Sequence, residues 1–181
     1  MPIGPLMIEH RLIEKVVVLM EKAILLAEDT GETDQDLIQE FIRFIRFYAD
    51  KCHHGKEEDI LFKKLGKKNI SKEHETIMDQ LIEEHKWGRK TTNELIAASE
   101  NYGKGDGKSL SEIRAKMKAL IQFYPGHILK EDRRFFEPVM GYFTLKERDA
   151  MLEEGYAFDS KLLHEAYEEA VSGMEKRLTV I

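Results

Sequence analysis

Apolar residues recur every three or four positions along nearly the whole chain, which is the spacing of one face of an α-helix. Only 4 prolines and 12 glycines occur among the 181 residues, so few positions interrupt this pattern. The pattern therefore favours long helices and leaves little room for an all-β fold with many tight turns.

The periodicity predicts four long helices, over residues 6–27, 36–65, 72–100 and 110–136. Ser71 is a candidate N-cap of the third helix, and Ser109 or Ser111 is a candidate N-cap of the fourth. Pro125 is expected to kink the fourth helix, because proline lacks a backbone N–H and crowds the preceding turn.

Long helices joined by short polar connections are typical of an all-α, up-down-up-down four-helix bundle. Two shorter helices are predicted after the bundle, over residues 145–154 and 160–178. We therefore expect residues 1–138 to form the bundle and residues 139–181 to form a C-terminal extension that packs on the same domain.

The charged residues indicate which partners to expect. Lys and Arg total 28 and Asp and Glu total 34, a net charge of −6 with both signs mixed along the chain, which argues against a nucleic-acid-binding surface. The apolar runs are far shorter than the ~20 residues that span a bilayer, and the first residues lack the features of a signal peptide. With Cys52 as the single cysteine, these features predict a cytoplasmic protein without a disulfide or a membrane partner.

Histidine placement is the most informative chemical feature of the chain. Seven histidines are present, and each of the four predicted long helices carries at least one on its inward face. Two of them, His53 and His127, are followed four residues later by Glu57 and Glu131. Because residues four apart lie on the same face of a helix, each pair directs an imidazole and a carboxylate into the same part of the core.

The two halves of the chain repeat this arrangement. Residues 9–11 recur at 84–86, 75 positions later, and residues 53–62 recur at 127–136, 74 positions later. Residue types, spacings and the flanking lysine and phenylalanine all recur. This indicates an internal duplication of a two-helix unit.

A buried histidine considered alone is usually explained by one hydrogen-bond partner. Four histidines and two glutamates on the inward faces of four helices are a different case, because a buried unpaired carboxylate costs several kcal/mol unless a cation meets it. Metal coordination accounts for all six residues at once. The predicted metal ligands are His10, His53, Glu57, His85, His127 and Glu131.

The number of donor atoms suggests which metal binds. Four imidazole nitrogens and four carboxylate oxygens would give two ions, bridged by both glutamates, four donors each. An octahedral ion takes about six donors, so positions remain for a shared oxo or hydroxo group and for an exogenous ligand. Mixed nitrogen and oxygen donors favour iron, with manganese or zinc as alternatives.

The segments at 53–62 and 127–136 resemble the two signature segments of the hemerythrin-like family, the HHE cation-binding domains. The resemblance covers residues 5–138. It implies a non-heme di-iron centre inside a four-helix bundle, and it implies the same six residues as ligands.

The chain departs from the oxygen-carrying hemerythrins at two places. The carriers use a His-x3-His pair on the third helix, and around His85 those positions are Leu81 and Arg89. They also use His-x4-Asp on the fourth helix; Asp132 has this spacing from His127, but Glu131 fits the repeat better. The missing imidazole opens a coordination position, so the chain looks more like the relatives that sense oxygen or iron, handle nitric oxide or peroxide, or repair iron-sulfur clusters.

These features predict a di-iron protein that binds or reacts with a small oxidant, namely O2, peroxide or nitric oxide. The alternative is an iron- or oxygen-responsive regulatory module that turns nothing over. The sequence identifies no catalytic residue and no protein partner, and it leaves open whether the chain is an enzyme.

The helical phase separates His53 from its neighbour His54. The inward face that carries Ile42, Ile45 and Ala49 continues to His53, whereas His54 follows the polar flank of the helix. Replacing His53 with alanine is therefore expected to remove metal, and replacing His54 is expected to leave most of it bound.

Several further residues are expected to have structural or surface roles, with a role at the metal site as the alternative for some of them. His74 is expected near a helix start, with a smaller expectation of a role at the metal, and Tyr124 is expected in the core, with its hydroxyl near an iron-bound ligand as the alternative. Lys56 and Lys130 are expected to be solvated, or else to be charge partners of the ligands. Cys52 is expected to be a small core residue and His164 a surface residue of the last helix.

Overall fold

The computed structural model describes residues 1–31 and 33–179, with side chains described as far as residue 163. The described part of the chain is 88% helix and contains no strand, which confirms the all-α prediction. Five helices follow one another: α1 (Ile3–Thr30), α2 (residues 35–65), α3 (Lys72–Gly103), α4 (residues 109–140) and α5 (Leu145–Thr179). Within the described residues, no helix is long and apolar enough to cross a membrane.

The ends of the helices follow from local sequence. Helix α1 ends at Gly31, which has a φ of 73°; glycine adopts this left-handed conformation without the strain of a side chain. The Ser71 side chain caps α3 as predicted, by accepting a hydrogen bond of 3.2 Å from the His74 backbone N–H.

The predicted caps of α4 are wrong. Neither Ser109 nor Ser111 caps the helix; instead Asp106 accepts hydrogen bonds from the Lys108 backbone N–H at 3.1 Å and from the Ser109 hydroxyl at 2.9 Å. Asp106 precedes the helix, so its carboxylate can accept a hydrogen bond from the backbone N–H at the helix start, whereas Ser109 and Ser111 lie within the helix. The α-helix Ser109–Lys130 continues through Pro125.

The two short C-terminal helices predicted over 145–154 and 160–178 form one helix, α5. Gly155 lies between them, but one glycine costs a helix only about 1 kcal/mol and packing outweighs it. A Cβ placed on Gly55 of α2 would lie 2.8 Å from the Phe158 ring, so α5 lies closely against α2. His164, predicted to be a surface residue, lies outside the described side chains.

Helices α2 and α4 contain wider, π-helical turns. These turns span Ile45–His54 and Glu57–Phe62 in α2 and Glu131–Phe135 in α4. A π-helix has more residues per turn than an α-helix, and such turns are frequent at functional sites. Neighbouring side chains on these turns therefore diverge less than they would on an α-helix.

Two apolar clusters occupy the interior. One contains Ile13, Leu95 and Leu120, and the other contains Leu6, Leu81 and Phe135. Along each of the four long helices, the inward histidines and glutamates occur near the boundary between the two clusters. A layer of buried polar groups therefore lies between two apolar layers.

Candidate metal centre

The structure brings all six predicted metal ligands together in the polar layer. Each of them is at most 3% exposed. Together with His54 they form two groups whose ligand atoms lie within 4.8 Å of one another: His10, His53, Glu57 and Glu131 in the first group, and His54, His85 and His127 in the second.

The two carboxylates reach both groups. Glu57 has one oxygen 3.4 Å from His53 Nε2 and the other 3.4 Å from His85 Nε2. Glu131 has one oxygen 3.2 Å from His10 Nε2 and the other 3.4 Å from His127 Nε2. Each glutamate therefore offers one oxygen to each group, as a bridging ligand must.

A carboxylate holds the far side of each predicted ligand ring. The Nδ1 atoms of the four histidines lie 2.7–2.9 Å from carboxylate oxygens. The pairs are His10 with Asp132, His53 with Glu9, His85 with Glu58, and His127 with Glu84. Contacts of this kind orient metal-binding histidines, because they fix the ring and leave Nε2 free to coordinate.

A cation stands behind each of these carboxylates. The pairs are Arg11 with Asp132, Lys56 with Glu9, Arg89 with Glu58, and Lys130 with Glu84. The lysines hold equivalent places in the two halves of the chain, so the duplication seen in the sequence extends to the groups that surround the centre. Lys56, only 5% exposed, is a charge partner and not the solvated residue expected by default.

His54 lies in the interior, although the helical pattern of the sequence predicts it at the surface. It is 3% exposed, and its ring stacks on that of His85 with 3.9 Å between centroids. The π-helical turn that ends at His54 brings both members of the His53-His54 pair inward. His54 and Glu58 have the same four-residue spacing as His53 and Glu57, which could have indicated a site role for His54. The periodicity of an ordinary α-helix, however, places His54 on the surface.

The pKa values of the two buried glutamates are shifted in opposite directions. Burial, reinforced by the neighbouring Glu131, raises the pKa of Glu57 well above its usual range. Burial also opposes ionisation of Glu131, but His127 and His10 outweigh it and hold the pKa of Glu131 well below its usual range. Without a metal, therefore, the two carboxylates do not share the core as a pair of full negative charges.

The pKa values of the buried histidines are also shifted in opposite directions. Burial opposes protonation of His10, but Glu131 and Asp132 outweigh it and raise its pKa. Burial lowers the pKa of His53 to about 4, and burial together with His85 lowers the pKa of His54 well below its usual range. His53 and His54 are therefore neutral, the state in which imidazole binds metal.

The atoms left without hydrogen bonds test whether these residues fit a metal. Among the described residues, nearly all buried side-chain atoms that lack a partner belong to this site: Nε2 of the four ligand histidines, both oxygens of Glu57 and Glu131, and both ring nitrogens of His54. Buried polar atoms are rarely left unpaired. This donor set fits metal ions at the centre of the cluster.

Residues outside the centre have other partners. His74 bonds the Tyr142 hydroxyl at 2.8 Å, and no metal-binding group among the described residues includes it. Asp132 contacts the far side of His10, so Glu131 is the residue that points inward.

Cys52 is half-buried, with Sγ 3.2 Å from Asp159, and burial raises its pKa to about 12. Glu9, Cys52 and Asp159 also lie close together, but the Lys56 ammonium already pairs with both carboxylates.

Comparison with known proteins agrees with this geometry. The family model of the hemerythrin HHE cation binding domain matches residues 2–139. No curated protein and no solved structure matches the chain. The match covers α1 to α4 nearly completely and includes every residue of the two histidine groups. The chain therefore belongs to the hemerythrin HHE cation-binding family.

Proposed function

We propose that this protein binds two metal ions, mainly iron, and that the ions react with a small oxidant. The observation that carries the proposal is that Glu57 and Glu131 each present one oxygen to each histidine group. A single ion would need only one group. Two groups that share both carboxylates match a pair of ions held side by side.

The donor count leaves coordination positions free. The first group would supply two nitrogens and two oxygens, and the second would supply three nitrogens and the two remaining oxygens. Both totals fall below the six donors of an octahedral ion. His54 would supply the imidazole that the third helix lacks, so the extra open position expected from the sequence is filled. After a shared oxygen bridge, one position would remain for an exogenous ligand.

The donor chemistry favours iron. The site combines imidazole and carboxylate and contains no thiolate, which suits iron, with manganese or zinc as rivals. When bound, two ferrous ions would supply two electrons, which together with two protons reduce one hydrogen peroxide to two waters. Leu81, Leu120 and Phe135, each 0% exposed, belong to the apolar clusters on either side and exclude bulk water.

We also propose the up-down-up-down order for α1 to α4, with residues 1–138 as the bundle and residues 139–181 as its extension. The short connections support this order, and so does the duplication of a two-helix unit.

The test begins with metal content. Anaerobic reconstitution with ferrous iron should give about two ions per chain by metal analysis, and His74→Ala, which changes a histidine outside the centre, should keep them. One ion per chain, or none, would overturn the two-metal proposal.

Reactivity is tested on the same sample. Oxygen added to the ferrous protein should oxidise the centre, so the spectrum should stay changed after the gas is removed. A full return of the ferrous spectrum would identify a reversible oxygen carrier and overturn the reaction with an oxidant.

One contact chain favours the second candidate, a metal-responsive module. His53 bonds Glu9, Glu9 pairs with Lys56, and Lys56 Nζ lies 2.8 Å from Asp159 on α5. These contacts connect a predicted ligand with the C-terminal helix. If metal binding alters them, limited proteolysis of α5 should differ between iron-loaded and metal-free protein, and Lys56→Met should abolish the difference. Identical cleavage in both states would exclude the candidate.

A further inference from the structure

A chamber of about 160 Å³ lies beside the second histidine group, between α2, α3 and α4. His54 and Tyr124 line it, together with Thr92 of α3. Two residues of its wall, Arg46 and Asn93, are exposed, so the chamber opens to the surface. The chamber therefore connects solvent with a residue of the metal centre.

Two buried residues of this wall, His54 and Tyr124, have side-chain polar atoms without a hydrogen bond among the described residues. His54 is 3% exposed, and both of its ring nitrogens are without a hydrogen bond among the described residues. Tyr124 is 3% exposed, and its hydroxyl makes no hydrogen bond within the same part of the chain. Whichever ring nitrogen of His54 binds metal, the other one and the Tyr124 hydroxyl can form hydrogen bonds with a small molecule in the chamber.

His54 differs from the other four histidines of the centre. Their Nδ1 atoms contact carboxylates at 2.7–2.9 Å, whereas the nearest carboxylate oxygen to His54 Nδ1, on Asp50, is 3.5 Å away. Asp50 also lines the chamber. The residue between the chamber and the centre is therefore the one whose Nδ1 makes no hydrogen bond to a carboxylate.

We propose that this chamber admits a small hydrogen-bonding oxidant of the peroxide type and holds it beside the metal centre, against the Tyr124 hydroxyl and His54. This inference rests on the proposed function, because the centre must hold metal for the oxidant to react.

The chemistry of the wall selects the ligand class. An apolar gas gains little from hydroxyl, imidazole and amide groups, whereas hydrogen peroxide both donates and accepts hydrogen bonds. A small anion is less favoured, since Arg89 is paired with Asp50 and with Glu58. Larger organic molecules are excluded because the pockets that bind them measure roughly 300–1,000 Å³, whereas this chamber measures about 160 Å³.

The first experiment asks whether the chamber is open, and it does not depend on metal. Thr91 and Thr92 are adjacent and both 4% exposed, but only Thr92 lines the chamber. In a Cys52→Ser background, Thr92→Cys should react with methyl methanethiosulfonate much faster than Thr91→Cys, as measured by mass spectrometry. Asn93→Trp at the mouth should slow this labelling, and the exposed control Lys90→Trp should not. Equal, slow labelling at both positions would overturn the chamber as a route.

The second experiment asks whether Tyr124 binds the oxidant. In iron-loaded, anaerobic protein, Tyr124→Phe should slow oxidation by hydrogen peroxide about three- to ten-fold, the range expected for one lost hydrogen bond. Its oxidation by O2 should keep the wild-type rate, and Tyr102→Phe should behave as wild type with both oxidants.

Unchanged peroxide rates in Tyr124→Phe would overturn its role, and so would loss of iron from that variant, because Tyr124 would then be structural. Failure of wild-type protein to bind two ions would instead overturn the proposed function, and the labelling result would still decide whether the chamber is open.

Discussion

His53 and His54 are neighbours in the chain, yet they join different groups of metal-binding side chains. His53 contacts Glu9 through Nδ1, as the duplicated pattern requires, and His127 contacts Glu84 in the same way. Ile128 occupies the position equivalent to His54 in the second half. His54 therefore has no counterpart in the second half, and its ring belongs to the second group alone.

His54→Ala should reduce the iron content from about two ions per chain towards one, because it removes one of the three nitrogens of the second group. The structure thus changes the expectation drawn from the sequence, which kept His54 away from the metal. Metal analysis after gel filtration measures the effect, with His74→Ala as the control. Two tightly bound ions in His54→Ala would show that His54 is not a ligand.

Glu84→Ala should weaken metal binding about 10- to 100-fold, the usual cost of losing the group that orients a ligand histidine. Its carboxylate accepts a hydrogen bond of 2.8 Å from His127 Nδ1. Competition with a chelator measures the affinity. Glu83→Ala is the matched control, because the adjacent Glu83 side chain is 71% exposed and pairs with Lys86 at the surface. Equal affinities would mean that His127 needs no such support.

At the scale of the helix, apolar periodicity was sufficient to predict α1 to α4 and their approximate ends. The inward positions of all six predicted ligands were also predictable, because His53-Glu57 and His127-Glu131 continue apolar faces. The π-helical turns were not predictable, since a recurrence of apolar residues every three or four positions does not reveal a local widening of the helix. His54 was misplaced for this reason.

The start of α5 provides a test of a helix cap. Thr144 and Glu147 bond reciprocally: the Glu147 backbone N–H donates to the Thr144 hydroxyl at 3.3 Å, and the Thr144 backbone N–H donates to the Glu147 carboxylate at 2.8 Å. Thr144→Ala should destabilise the protein by about 1 kcal/mol, measured by urea unfolding. The exposed helical Thr76→Ala is the control, and an equal loss in both variants would contradict a capping role.

The same cap should weaken in acid. Lys68 and Thr144 lower the pKa of Glu147 to about 2 from 4.5, so its contribution is complete above pH 4.5 and disappears as the pH falls towards 2. The difference in stability between wild type and Glu147→Gln should therefore shrink over this range. A difference that stays constant with pH would show that the charge of Glu147 is not what stabilises α5.

For the whole molecule, the unpaired donors of the polar layer predict that stability depends on metal. An ion that binds only the folded state, at a concentration 100-fold above its dissociation constant, stabilises by about 2.7 kcal/mol. For a chain of this size that corresponds to a rise of roughly 5–10 °C in Tm. Calorimetry with and without a chelator measures the shift. His53→Ala should show a smaller shift, because it removes one of the two nitrogens of the first group. An equal shift in this variant would mean that metal stabilises the protein elsewhere.

The contacts that orient the four rings through Nδ1 lie within the protein, so these rings can be positioned before an ion binds. Metal ions could therefore be removed from the folded protein and bound again at the same donors. Iron, manganese and zinc would compete for the same preformed donors. The ion found in a purified sample would then reflect which metal was abundant when the site was filled, and the preference of the chain would have to be measured by exchange among competing metals.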